Sequence, residues 1–273
     1  MAGEQREYLL ASDEAELERL RLQARLWEPE VERWLDAVNI QPGWNCVDLG
    51  CGAMGILGPL GRRVGAEGRV VGVDMDAKQL AGARAYVEEE KLQNVEIRQL
   101  DAYDTGLPAE SFDFVHVRFV FAPVGRDEEL MREMVRLARP GGILGIQESN
   151  ASSWECYPPD PAWDSLKGAI LTAFKRGGGD FNAGQRTFGM LRAAGMEQVQ
   201  ARAGVIGLAN GHPYMRLPVL FAGSLRSRIL EGDIMSEREL DDTIAECERI
   251  AADPNTMVVS FMVTQVWGRK GRG

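Results

Sequence analysis

Histidine and cysteine are scarce in this chain, with two of the first and four of the second among 273 residues. The cysteines stand at 46, 51, 156 and 247 with no C-x-x-C pair, so with two histidines in all no metal site is expected. Cys46 and Cys51 flank the first strand of the pattern described below and read as packed thiols. Positive charge is also in the minority: 31 Lys and Arg face 41 Asp and Glu, a net charge of −10. Binding to nucleic acid or to an anionic membrane rests on clustered Lys and Arg. The one basic run, Arg269-Lys270-Gly271-Arg272, reads as a solvated end. No apolar stretch reaches the roughly 18 residues of a membrane helix, and alternating charges over residues 3–7 leave no leader pattern. A cytoplasmic protein without a nucleic-acid or membrane partner is expected. The rest of the composition, 45% hydrophobic and 26% charged, suits a sizeable globular core.

Glycine, by contrast, is placed with a purpose. Residues 47–55 read Val-Asp-Leu-Gly-Cys-Gly-Ala-Met-Gly, and the strand Val70-Val71-Gly72-Val73 ends on Asp74. An apolar strand, a glycine-rich turn opening a helix and a second strand tipped with an acid form a nucleotide-binding βαβ unit. Gly50 and Gly52 let the backbone turn tightly against a ligand, Gly55 lets the helix lie close, and Asp74 can accept from a ribose diol. Dinucleotide dehydrogenases share this pattern. Asp48 separates the two readings, because a carboxylate there repels a pyrophosphate, which needs bare N–H groups at a helix N-terminus. S-adenosylmethionine (SAM) carries an adenosine, a sulfonium, an ammonium and no phosphate, so the acid argues for SAM over NAD.

Periodicity predicts a helix over 12–27, with Leu17, Leu20, Ala24 and Trp27 on one stripe, then a second short helix bearing Val31, Trp34, Leu35 and Val38. Strands at 45–49, 69–73, 95–99, 112–118 and 142–148 alternate with helices at 55–65, 76–91 and 127–138. Such alternation predicts an α/β fold with a parallel sheet covered on both faces. A rigid loop, Cys156 to Pro161, precedes a helix over 162–175, and Asn182 is a candidate cap for a helix running to Gly195. Residues 197–208 and 257–267 read as strands around a helical insertion, 212–252, whose last helix opens with the capping box Ser236-Glu237-Arg238-Glu239.

Val47-Asp48-Leu49-Gly50-Cys51-Gly52 resembles motif I of the class I SAM-dependent methyltransferases. Phe112-Asp113-Phe114-Val115 and Arg139-Pro140-Gly141-Gly142 resemble the start of their fourth strand and the turn before their fifth. The stretch Glu16 to Gln23, with Tyr8 before it, is similar to bacterial small-molecule members related to the ubiquinone/menaquinone-biosynthesis methyltransferases. The resemblance implies a Rossmann-like, mostly parallel sheet of seven strands in the order 3-2-1-4-5-7-6. It further implies an N-terminal helical cap (1–43), a SAM-binding core (44–211 and 253–273) and the insertion (212–252) as a lid over the carboxyl edge.

It also assigns residues. Besides Asp48, Gly50, Cys51, Gly52 and Asp74, it places Met75 beside the adenine, Asp101 and Ala102 at its amino group, and Arg118 at the methionine carboxylate, with Gln23 as a second candidate there. Tyr8, Trp27, Trp154, Tyr157 and Trp163 are the aromatics available to hold the sulfonium or the acceptor, and Trp27 and Trp163 equally suit core packing. A general base is needed only if the nucleophile must lose a proton. Glu148, at the end of the fifth strand, is the best placed by topology, with Tyr8 and His212 as further catalytic candidates. Ala122-Pro123-Val124 stands where many relatives carry a histidine. The expected activity is methyl transfer to O, N or C of a small, mostly apolar molecule, aromatic or a secondary metabolite. An NAD-dependent oxidoreductase and a non-catalytic SAM-binding protein are the alternatives, and a homodimer is left open.

Overall fold

The computed structural model describes residues 14–272. Seven strands form the central sheet: β1 (Asn45–Leu49), β2 (Arg69–Asp74), β3 (Val95–Gln99), β4 (Phe112–Arg118), β5 (Ala138–Asn150), β7 (Glu197–Gly204) and β10 (Met262–Arg269). Their order is β3-β2-β1-β4-β5-β10-β7. The first five are parallel, whereas β10 runs antiparallel to both β5 and β7. This is the Rossmann-like arrangement expected, with the last strand in sequence lying inside the edge. The inner strands are mostly apolar on both faces, with Asp48, His116 and Glu148 as buried exceptions, because helices cover both: α2 (Leu57–Val64), α3 (Ala77–Glu89) and α5 (Asp127–Leu137). Ligands of such sheets bind beyond the carboxyl ends of the strands, and Gly50, Asp74, Asp101 and Arg118 all sit at that edge.

The N-terminal segment departs from expectation. It is one helix, α1 (Glu14–Val38), continuing through Pro29. Proline removes one i→i−4 hydrogen bond, here to the Arg25 carbonyl. Arg25 and Pro29 are both exposed, so that carbonyl faces water. Trp27, Val31, Trp34, Leu35 and Val38 bury the opposite stripe, and that packing keeps the chain helical across the break.

Two long strands of the sequence reading are each bent in two. Residues 197–208 split into β7 and β8 (Gly207–Ala209), and 257–267 into β9 (Met257–Val259) and β10. The short halves join β6 (Glu155–Tyr157), within the expected rigid loop, in a second sheet of order β6-β9-β8. Ser260 stitches the bends together: its N–H donates to Ile206 O at 2.9 Å, and its hydroxyl accepts from Ile206 N at 2.9 Å. The bend turns Phe261 into the core. Asn182 does not cap the helix that follows. Its Oδ1 accepts from Ala151 N at 2.8 Å, and a 3-10 turn (Ala183–Gln185) leads into the shorter α7 (Thr187–Ala193).

The 212–252 segment folds as a 3-10 turn (Pro213–Arg216), α8 (Leu217–Ser224), α9 (Arg226–Glu231) and α10 (Glu237–Ala252), the last opened by the Ser236–Glu239 capping box. It packs on α6 (Pro161–Arg176). Phe221, Leu225, Leu240 and Cys247 share one apolar core with the sheet. All four cysteines are buried free thiols. Among the described residues, no His/Cys/Asp/Glu cluster could hold a metal, and no helix is long and apolar enough to cross a membrane.

Candidate active site

The glycine loop between β1 and α2 is held from behind by Asp48. This buried carboxylate accepts from Ile56 N at 3.0 Å through Oδ2, and its Oδ1 lies 2.7 Å from His116 Nδ1, directly across the β1–β4 ladder. Gly55 is obligatory here, because a Cβ at that position would lie 2.2 Å from Asp48 Oδ2 and its φ is +51°. Gly50 (φ +69°) brings the chain so close to the turn after β4 that a Cβ would meet Val120 Cγ2 at 2.5 Å.

Asp74, at the tip of β2, closes the front of the loop. Its carboxylate accepts from Gly52 N and from Asp76 N, each at 2.9 Å, and burial pushes its pKa up from the ordinary value. Asp101, after β3, accepts from Tyr103 N at 2.9 Å. Arg118 ends β4 and donates one of its five N–H groups to Gly55 O at 2.7 Å, while burial lowers its pKa. These side chains, with Cys51, Met75, Ala102 and Gln23, line a cavity of about 550 Å³ at the carboxyl edge of the sheet. That volume falls within the roughly 300–1,000 Å³ of small-molecule sites.

The loop's own hydrogen bonding decides between cofactor classes. Cys51 N donates to Val73 O at 2.9 Å, Gly52 N to Asp74 and Ile56 N to Asp48. A pyrophosphate needs those N–H groups, and two of them are already held by carboxylates. The cavity lining carries Asp74, Asp76 and Asp101 on one side and Arg118 and Gln23 on the other, a donor set suited to a ribose, an adenine and an amino acid.

Residues 47–146 match the family described as "Methyltransferase domain". Over that stretch the chain carries a methyltransferase domain. Nocamycin O-methyltransferase of Saccharothrix syringae is 34% identical to this chain over 120 residues, 44% of this chain and 43% of that protein. Demethylmenaquinone methyltransferase of Listeria welshimeri is 29% identical over 145 residues, 53% of this chain and 58% of that protein. The chain thus spans about half the length of the curated relatives it matches. A SAM-dependent methyltransferase from Aquifex aeolicus shares the fold, with a TM-score of 0.53 at 21% identity over 73% of this chain and 93% of the other. SAM is the cofactor of such a domain, and it supplies an electrophilic methyl group when bound.

The domain's geometry gathers some of the residues singled out from the sequence and disperses others. Gln23, Gly50, Cys51, Gly52, Asp74, Met75, Asp101, Ala102 and Arg118 all face the one cavity. Asp48 does not; it organises the loop from beneath. Glu148 is fully buried at the end of β5, where its Oε1 accepts from Phe121 N at 2.7 Å, and it lines no part of the cavity. Burial raises its pKa to about 8, against the opposing pull of backbone N–H groups. His212 is turned to a capping task, its Nδ1 accepting from Tyr214 N at 3.1 Å. Tyr8 lies outside the described residues. Trp27, Trp154 and Trp163 are core residues: Trp27 Nε1 donates to Tyr214 Oη at 3.3 Å, Trp163 Nε1 to Trp154 O at 3.4 Å, and Trp154 stacks on Phe181 at 5.4 Å. Tyr157 is exposed on β6, away from the cavity.

Residues to which the sequence reading gave no binding role also face this edge: Leu20, Gln79, Tyr103, Phe119, Val120, Pro123 and Arg126. Phe119 had a signal, since it directly follows β4 at a ligand-binding edge, and it adopts φ +57° to turn there. Gln79 Oε1 is a buried acceptor without a hydrogen-bond partner beside Gly52. No local pattern pointed to it.

Proposed function

We propose that the chain transfers a methyl group from SAM to O, N or C of a small, mostly apolar, aromatic acceptor. The observation that carries this reading is the 550 Å³ cavity, which joins Asp74 and Asp101 at one end to Arg118 and Gln23 at the other across the glycine loop. Asp74 would hold the ribose, Asp101 and Ala102 the adenine edge, and Arg118 with Gln23 the amino-acid end. Among the described residues, no His, Lys or Glu lines this cavity, and its three acids lie on the ribose and adenine side. The contribution of the described cavity residues to the chemistry is then to align the acceptor and exclude water. By their names, nocamycin O-methyltransferase and demethylmenaquinone methyltransferase are each a precedent for a small-molecule acceptor.

The reading is tested by incubating the protein with SAM and a panel of phenols, indoles and amines while following S-adenosylhomocysteine release. Turnover with at least one aromatic acceptor is expected. SAM binding without turnover on any acceptor of the panel would favour a non-catalytic SAM-binding protein.

A further inference from the structure

Two charged side chains hold the two ends of a single peptide group in the glycine loop. Its carbonyl, Gly55 O, accepts from Arg118 Nη2 at 2.7 Å, and its N–H, on Ile56, donates to Asp48 Oδ2 at 3.0 Å. Arg118 lines the cavity, whereas Asp48 lies beneath the loop and is 1% exposed. The peptide therefore ties a guanidinium that faces the cavity to a carboxylate that does not. A guanidinium is a rigid planar fork of five N–H groups, so fixing one on Gly55 O sets the direction of the others.

The second oxygen of Asp48 is held in turn. Oδ1 lies 2.7 Å from Nδ1 of His116, its register partner on β4, and His116 is fully buried. Aromatic packing fixes the imidazole: Phe114 stacks on it at 5.9 Å, and the Trp34 indole of α1 lies 5.4 Å away. The next position across the sheet is Gly145 on β5, where a Cβ would meet Trp34 Cη2 at 2.7 Å. The indole reaches the imidazole because β5 carries no side chain there. Among the described residues His116 Nε2 has no hydrogen-bond partner, so the one polar contact of this ring is with Asp48. A carboxylate offers only acceptors, which places the ring hydrogen on Nδ1.

We propose that His116 is a positioning residue for the cofactor: it locks Asp48, Asp48 and Arg118 fix the 55–56 peptide, and that peptide aims Arg118 at the amino-acid end of SAM. The proposal rests on the reading above, in which Arg118 holds that end. His116 touches no ligand and acts through one carboxylate and one peptide. Without its Nδ1–H, Asp48 Oδ1 is a buried acceptor with no donor, a costly state that the carboxylate relieves by turning. Turning releases Ile56 N, the peptide rotates, and Gly55 O no longer directs Arg118. The ribose side is anchored separately, with Asp74 accepting from Gly52 N and Asp76 N. Loss of the His116 contact should therefore be felt at one end of the ligand.

The test compares S-adenosylhomocysteine with 5′-methylthioadenosine, which keeps the adenosine and the sulfur but has no amino acid, by calorimetry on the full chain. The native chain should prefer S-adenosylhomocysteine by about tenfold or more, the effect of a charged hydrogen bond. His116→Phe should cut that preference roughly fivefold or more, as expected for members of one hydrogen-bond network, and leave 5′-methylthioadenosine binding nearly unchanged. His116→Asn, whose amide N–H can serve the same oxygen, should restore most of it. In Arg118→Gln, where the preference is already lost, adding His116→Phe should change the ratio no further. An undiminished preference in folded His116→Phe would overturn the proposal. So would equal weakening of both ligands, which would make His116 a structural residue. If His116→Phe does not fold, Asp48→Asn decides by the same ratio, because an amide cannot accept through both of its atoms. A native chain without the preference would take Arg118 away from the amino-acid end, and this proposal with it. Failure of S-adenosylhomocysteine to bind at all would remove the SAM reading itself.

Discussion

Three carboxylates near the carboxyl ends of their strands, Asp48, Asp74 and Glu148, do different work. Asp74 faces the cavity while holding Gly52 N and Asp76 N. Asp74→Ala should therefore weaken SAM binding at least about tenfold, from loss of a charged hydrogen bond of about 1.5–3 kcal/mol and of the loop's anchor. Calorimetry on the folded variant checks this, and unchanged affinity would remove Asp74 from the ribose site. Glu148 faces backbone, and its raised pKa of about 8 makes it a stability group. Unfolded, it titrates near 4.5; folded, it keeps its proton until about 8. Between those values the native state binds the extra proton, so stability falls as pH rises through that window and levels off above it. The contribution is of the order of a few kcal/mol. Thermal melts from pH 5 to 9 should show a flatter decline for Glu148→Gln than for the native chain. Parallel curves would contradict the assignment.

At the scale of elements, the glycine loop and α1 matter most. Gly55→Ala drives a Cβ onto Asp48 Oδ2 at a positive φ, so the β1–α2 turn must shift. A loss of about 2–3 kcal/mol in denaturant unfolding, with weaker SAM binding, is expected. Removing residues 1–26 would strip Leu20, Gln23 and Ala24 from the cavity and should abolish turnover while the sheet remains folded, as circular dichroism and S-adenosylhomocysteine release would report. The sheet was legible in the chain because parallel strands buried on both faces are continuous apolar runs, and the loop because Gly50, Gly52 and Gly55 all take a positive φ, with no room for a Cβ at Gly50 or Gly55. The bends at 205–206 and 260–261 were not, since Val205, Ile206 and Phe261 are good strand formers and the run is broken by the packing of Phe261 and the Ser260–Ile206 hydrogen bonds. For the same reason the cluster of Phe174, Phe181, Phe221 and Phe261 was missed. The tryptophans stood out in the sequence, yet Trp27, Trp154 and Trp163 fill the core, and phenylalanines distant in sequence meet only when the fold is complete. Asp48 was singled out for the right loop with the wrong facing, because alternation along β1 does not say which carboxylate oxygen the following backbone will use.

At the scale of the molecule, the sheet, α1 and the 212–252 helices converge on one edge. α1 supplies Arg19 and Gln23, and α8 supplies Phe221. The apolar core is continuous from the sheet through α6 to α10, so that edge is backed by packed structure. The account's central claim is that this edge is built for SAM and not for a dinucleotide, because carboxylates already hold the N–H groups of Gly52 and Ile56. Titration calorimetry of the full chain with SAM and, separately, with NADH tests it most directly. The account predicts a saturable, one-to-one SAM isotherm with micromolar affinity and no heat from NADH. Binding of NADH with SAM silent would contradict it.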